Sequence, residues 1–271
     1  MFEHRFLTLL VLIPIILLAI EFLPMPWFAI LVGVVIAWAA WEWTRLIGII
    51  NHYSRGLYVL LIALALWAVY YLSVFWILAA SLVIWIWIAA AIFCYALGFA
   101  PLGFQYSMIK IVVGFFTLVP CWLAITVSHE NVGGPGWLLF GFTVVWTMDT
   151  GAYVAGRWLG KHTLITRVSP KKTWEGLLGG IISTFLIVAV ACVIFHLPFS
   201  HVFRFYLLTL FTIVFAVIGD LFESMIKRQA GVKDSGQLLP GHGGILDRID
   251  SVIAALPVFV LCSLLIDYIH Q

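Results

Sequence analysis

The sequence predicts an all-α, polytopic integral membrane protein with about nine transmembrane helices, and three observations carry that expectation. The 271 residues are 64% hydrophobic and 10% charged, with a mean hydropathy of +1.15, whereas a soluble domain is about 45–50% apolar and about 25% charged. Breaking the chain at Pro, Gly and charge clusters leaves apolar runs near the length, about 20 residues, that crosses a bilayer. The basic residues then fall almost wholly on one side. A chain this apolar cannot cover a water-facing surface, so lipid is its main solvent.

The runs are 6–23, 27–47, 57–75, 77–98, 108–128, 137–156, 174–196, 204–228 and 248–269. The first is longer than a signal-peptide core and no small-x-small cleavage site follows Ala19, so it reads as a helix. The third and fourth are separated only near Leu72 to Phe75, where no strong turn former stands. With nine spans and a cytoplasmic N-terminus, 13 of the 14 Lys and Arg share one side and Arg204 alone takes the other. Cytoplasmic loops collect Lys and Arg, so the N-terminus is expected inside and the C-terminus outside.

The longest polar stretches, 157–173 and 229–247, both face the cytoplasm and are too short for a core of their own. Two regions follow: apolar helices over 1–136, and a transmembrane region over 137–271 that carries both polar stretches. Cys94, Cys121, Cys192 and Cys262 each sit in an apolar run without metal-ligand spacing, so they read as small core residues.

Seven of the 12 acidic residues lie between Asp149 and Asp250. Asp220 falls late in the eighth run, where a lone carboxylate is costly and should face a polar cavity. Glu223, Ser224 and Lys227 follow on the same helix face. Asp247 and Asp250 repeat the spacing where the ninth run begins, and Asp149 lies near the cytoplasmic end of the sixth. Carboxylates converging at one depth suit a hard cation such as Mg²⁺. Helix-end pairing, for instance Asp247 beside Arg248, is the plainer alternative.

Ser169-Pro170-Lys171-Lys172 reads as an N-cap, a proline at the first helical position and two lysines in the first turn. The helix dipole disfavours cations there unless a phosphate binds. Equally, the lysines could simply mark the cytoplasmic side. Gly241-His242-Gly243-Gly244 is a flexible turn whose N–H groups can approach a ligand. His242 has either a proton-handling or phosphate role, or an ordinary loop hydrogen bond.

Ser224-Met225-Ile226-Lys227-Arg228 and, four residues on, Lys233-Asp234-Ser235-Gly236 through Pro240-Gly241-His242-Gly243-Gly244 to Asp247-Arg248-Ile249-Asp250 resemble the signature of the phosphatidate cytidylyltransferases, or CDP-diacylglycerol synthases. Asp149-Thr150-Gly151-Ala152-Tyr153, Gly156-Arg157 and Ser169 through Glu175-Gly176 also resemble this family. The resemblance covers 149–250; the earlier residues match only as apolar spans.

The resemblance implies transfer of CMP from CTP to phosphatidate, giving CDP-diacylglycerol and pyrophosphate, with Mg²⁺ as cofactor, as two metal ions. It makes Asp220 and Asp247 the leading metal ligands, with Glu223 and Asp250 beside them. Lys227, Arg248 and His242 join the two aspartates as catalytic residues. Asp149, Arg157, Ser169, Lys171, Lys172, Glu175, Ser224, Arg228, Lys233, Asp234, Gly243 and Gly244 are implied in substrate binding. A homodimer is implied too. The partners expected are CTP, phosphatidate and membrane lipids, with no nucleic acid. Compactness points to a bacterial inner membrane, and CTP must arrive at the cytoplasmic face.

An ion- or proton-coupled transporter is the main alternative, since buried carboxylates also mark ion pathways. Transport sites lie near the midplane between repeated halves, and here the charges cluster at one interface without a repeat. The CDP-alcohol phosphotransferases need two aspartates four apart downstream of an Asp-Gly pair, which is missing. A non-catalytic lipid-binding homologue should lose charged signature residues, and none is lost.

Overall fold

A computed structural model describes residues 14–130, 134–196, 198–238 and 243–268. Helix α1 is described over 14–22. It is followed by α2 (Met25–Leu46), α3 (His52–Val69), α4 (Val74–Ala96), α5 (Ser107–Glu130) and α6 (Gly134–Leu159). A hairpin of β1 (Thr163–Ile165) and β2 (Ser169–Thr173) leads to α7 (Trp174–Ile194), α8 (Phe199–Gln229) and α9 (Leu246–Tyr268). Eight of the described helices are long and apolar enough to cross a membrane. The protein is an all-α polytopic membrane protein apart from this one hairpin. The expected first span, 6–23, lies only partly within the described residues.

Helices α5 and α9 form the centre. Every residue from Ser251 to Leu261 is buried, as is the run from Thr117 to Thr126. The outward faces carry Trp76, Phe93, Leu186 and Val193 in exposed positions, which lipid rather than water accommodates. The aromatic ring of Phe222 on α8 is buried against Trp43 of α2, Trp85 of α4 and Phe104, with centroids 5.4 to 5.7 Å away. The N-terminal helices therefore clasp α8 one residue before Glu223.

The third run starts earlier than its hydropathy suggested. Asn51 caps α3 by accepting the N–H of Tyr53 at 2.8 Å, so the helix begins at His52 and ends at Val69. The break before α4 accordingly lies at residues 70–73, with Ser73 as the N-cap residue.

The polar stretch after α6 corrects one expectation. Ser169 is not a helix cap, and Lys171 and Lys172 do not occupy a first helical turn. They lie on β2, which pairs antiparallel with β1 through Thr163 opposite Thr173 and Ile165 opposite Ser169. Thr173 is the true cap of α7, its hydroxyl accepting the Gly176 N–H at 3.1 Å. The physics favours this register: the first turn of α7 then holds the acid Glu175 instead of two cations facing the positive end of the dipole.

Helices α6 and α7 meet through glycine. A Cβ added at Gly176 would stand 2.8 Å from the carbonyl oxygen of Ala152, and one at Gly180 would stand 2.7 Å from that of Met148. This close approach fixes the two ends of the hairpin. Replacing Gly176 and Gly180 together with alanine is expected to force the helices apart, at about 1–3 kcal/mol per site for overpacking. A lower thermal unfolding midpoint in detergent checks it.

Candidate active site

The residue count of α8 sets the depth of the site. Its 31 residues make a helix of about 46 Å, against a hydrocarbon core of about 30 Å. The helix therefore exceeds the core by about 16 Å, and its last turns hold Asp220, Glu223, Ser224, Lys227 and Arg228. The first turns of α9 bring Asp247, Arg248, Asp250 and Ser251 alongside.

Two groups of carboxylates result. The first is closed on itself. Lys227 Nζ donates to Glu223 Oε2 at 2.5 Å and to Asp247 Oδ1 at 2.7 Å. Asp247 Oδ2 also accepts the N–H of Gly244 at 2.7 Å and the N–H and hydroxyl of Ser235, each at 2.9 Å. Glu223 is 1% exposed, and its Oε1 has no hydrogen-bond partner among the described residues. Gly243, at φ 83°, sits against the Asp247 carboxylate where a side chain would collide with it.

The second group is open. A cavity of about 460 Å³ is lined by Asp149, Asp220, Asp250 and one edge of Asp247, with Arg157, Lys171 and Lys172 as its cations. Lys172 on β2 forms an ion pair with Asp220. Ser251 donates its hydroxyl to Asp149 Oδ1 at 3.3 Å. Asp149 and Asp220 both lie within electrostatic reach of Asp250. Met148, Leu164, Leu177 and Val217 give the same cavity an apolar wall.

Of the other residues singled out in the sequence, Glu175 closes the base of the hairpin, accepting the N–H groups of Lys161 at 3.1 Å and His162 at 3.2 Å. Arg228 donates to the carbonyl of Val168 at the hairpin turn, 3.4 Å away. Ser169, Ser224, Lys233, Asp234 and Arg248 do not line the cavity as described. His242 lies outside the described residues.

The donor chemistry fits a hard divalent cation. Asp149, Asp220 and Asp250 offer only oxygen ligands, from three different helices, to one cavity. Among the described residues no three His, Cys, Asp or Glu are grouped tightly enough to cage a metal. Oxygen-only donors of this kind are what hard divalent cations take, completing their shell with water and substrate phosphate.

Comparison with known proteins adds the decisive observation. The model of the cytidylyltransferase family matches residues 3–266. The chain belongs to the cytidylyltransferase family. It is 36% identical over 261 residues to the phosphatidate cytidylyltransferase of Pseudomonas aeruginosa, covering 96% of each chain. It is 33% identical over 283 residues to the enzyme of that name from Haemophilus influenzae, covering 96% of this chain and 97% of the relative. The Bacillus subtilis enzyme of the same name is 40% identical over 151 residues, covering 54% of this chain and 56% of its own.

One residue of this cytidylyltransferase family member escaped the sequence reading. Glu42 on α2 is 4% exposed and accepts the N–H groups of Ile245 at 3.1 Å and Leu246 at 2.8 Å. The available signal was a carboxylate inside an apolar span, the same signal that drew attention to Asp220.

Removing Lys227 leaves two buried carboxylates facing each other. Lys227→Met is expected to destabilise the protein by about 3–5 kcal/mol, and thermal unfolding in detergent measures it.

Proposed function

We propose that this chain is a phosphatidate cytidylyltransferase, moving CMP from CTP to phosphatidate and releasing pyrophosphate. The observation that carries the reading is the cavity where Asp149, Asp220 and Asp250 meet Arg157, Lys171 and Lys172, in a chain of the cytidylyltransferase family. Both substrates are phosphate anions, and one of them never leaves the leaflet. A polar cavity with an apolar wall at the head-group end of the helices suits that pairing.

In the proposed transfer, a phosphate oxygen of phosphatidate attacks the α-phosphorus of CTP in line. The new P–O bond forms as the bond from that phosphorus to the oxygen bridging to the β-phosphate breaks. Pyrophosphate leaves with the bonding pair, and no covalent enzyme intermediate is required. Catalysis then rests on orientation and charge neutralisation. Lys171, Lys172 and Arg157 neutralise the triphosphate and the lipid phosphate. Ser251 orients Asp149, while Lys227 keeps Asp247 and the loop leading into α9 in register.

Mg²⁺, as two ions, is part of the proposal. Asp220 and Asp250 would hold it, helped by Asp149. When bound it supplies positive charge to the attacking and leaving oxygens. Asp247, which the resemblance makes a leading ligand beside Asp220, and Glu223, which it makes a helper, are bonded to Lys227, so we assign them to the support of the site. The signature residues Ser224, Arg228, Lys233, Asp234, Gly243, Gly244 and Arg248 belong to the loop segments and helix ends that frame the cavity, and His242 is proposed as catalytic from the resemblance alone.

The proposal includes nine spans with the N-terminus inside and the C-terminus outside, in a bacterial inner membrane with the cavity facing the cytoplasm. The segregation of 13 basic residues from Arg204 supports it. It also includes a homodimer, with residues 1–136 as cleft wall or subunit contact and 137–271 as the catalytic region.

The test supplies detergent-purified protein with phosphatidate, labelled CTP and Mg²⁺. Labelled CDP-lipid is expected, and none is expected when EDTA replaces Mg²⁺. No product, where an established synthase works in parallel, would sink the reading. Asp220→Asn and Asp250→Asn are each expected to lower kcat by about 100-fold or more while leaving the protein folded. Near-normal turnover in either variant removes that residue from the metal site.

A further inference from the structure

Glu42 lies near the C-terminal end of α2 (Met25–Leu46), far in sequence from every residue of the cavity. Its carboxylate is nonetheless saturated by the polar loop that joins α8 to α9. Oε2 accepts the Leu246 N–H at 2.8 Å and Oε1 the Ile245 N–H at 3.1 Å, while the one proton of the Ser235 hydroxyl is shared between Glu42 Oε2 at 3.2 Å and Asp247 Oδ2 at 2.9 Å. The charge is met by N–H groups at the N-terminus of α9, where an anion is stabilised by the helix dipole. Gly236 and Gly244 lie flat against the carboxylate, and a Cβ at either position would overlap it.

The same loop segments are held from a second side. Ser235 gives its N–H to Asp247, as does Gly244. Glu42 and Asp247 thus grip residues 235–236 and 244–246 between them, and Asp247 both holds Lys227 and edges the cavity. A shift of the loop away from Glu42 carries Asp247 with it. An ionised group inside an apolar helix is costly to maintain, and a loop that needed only packing would be served by an apolar side chain.

We infer that Glu42 is a positioning residue for the transfer reaction, setting the register of segments 235–236 and 244–246 and thereby the placement of Asp247 at the cavity. This rests on the reading of the cavity as a cytidylyltransferase site. It also gives the N-terminal helices a part in catalysis beyond walling a lipid cleft.

The test is Glu42→Gln, which keeps the shape but turns an NH₂ group toward a backbone donor. On folded, detergent-purified enzyme, kcat is expected to fall about tenfold or more, since small displacements of catalytic groups are expensive. KM for phosphatidate should stay within about twofold, because that loss lies in the transition state and not in ground-state binding. Hydrogen exchange should quicken at the Ile245 and Leu246 amides while the rest of α9 keeps its protection. Glu42→Asp, which retains the charge, should recover part of the lost kcat. Should Glu42→Gln fold poorly, Ser235→Ala, which removes the hydroxyl shared between Glu42 and Asp247 but leaves the backbone contacts to both in place, should show a smaller fall in kcat with an unaltered unfolding midpoint. An unchanged kcat per folded enzyme overturns the positioning role, and so does a loss matched entirely by loss of folded protein. Unchanged exchange at 245 and 246 overturns the contact itself. A parent enzyme that makes no CDP-lipid overturns the transfer reading instead, and the exchange result still reports whether Glu42 holds the loop.

Discussion

The ammonium group of Lys227 is the point on which the site is hung. It lies between Glu223, one turn earlier on α8, and Asp247, in the first turn of α9. Taking a carboxylate out of water costs several kcal/mol, and Coulomb attraction offsets this only when geometry is good and the remaining lone pairs are met. Asp247 satisfies that condition through Ser235 and Gly244. The result joins two membrane helices and the polar loop between them by charge. With it in place, Ser235 and Gly244 are held against the start of α9, and the carboxylates of α8 and α9 face the cavity together.

The division of the acids into two groups follows from this. Glu223 and Asp247 share the single ammonium of Lys227, which answers one of their two charges. Asp149, Asp220 and Asp250 face open space with Lys172 against one of them. Lys172 is delivered by the hairpin, whose two ends are fixed by the glycine contact of α6 with α7. A framework of tight helix packing therefore places the mobile charge of a lysine beside the fixed charge of an aspartate. Phosphate chemistry needs both: anion-binding groups that can adjust and carboxylates that cannot drift.

Much of this was legible in the sequence because it is local. Glu223 and Lys227 are one helical turn apart, and the loop through Gly243 and Gly244 announces itself by composition. The all-α membrane architecture follows from apolar runs that no soluble fold could hide. Other features were not legible, each for a physical reason. Ser169-Pro170 has the chemistry of a helix start, and only the pairing of β1 with β2 shows that Thr173 takes that role. The bond from Ser235 to Glu42 spans 193 residues, and no periodicity within either segment encodes it. Asp220 looked like a metal ligand in want of a partner, but its ion pair with Lys172 depends on the same hairpin.

The overhang of α8 has a consequence for how the bilayer acts on the protein. Asp220 is the twenty-second of the 31 residues counted from Phe199, about 32 Å along the axis. That distance is close to the thickness of the hydrocarbon core, about 30 Å. A span that entered the core at Phe199 would bring the carboxylate level with the glycerol and phosphate of the opposite leaflet. Mismatch between helix and membrane is relieved by tilt or by local thinning at a cost of fractions of a kcal/mol per Å. A thicker bilayer would draw the cavity mouth below the head groups, and a thinner one would lift it clear of them. Bilayer thickness would then act on the cavity through the length of one helix.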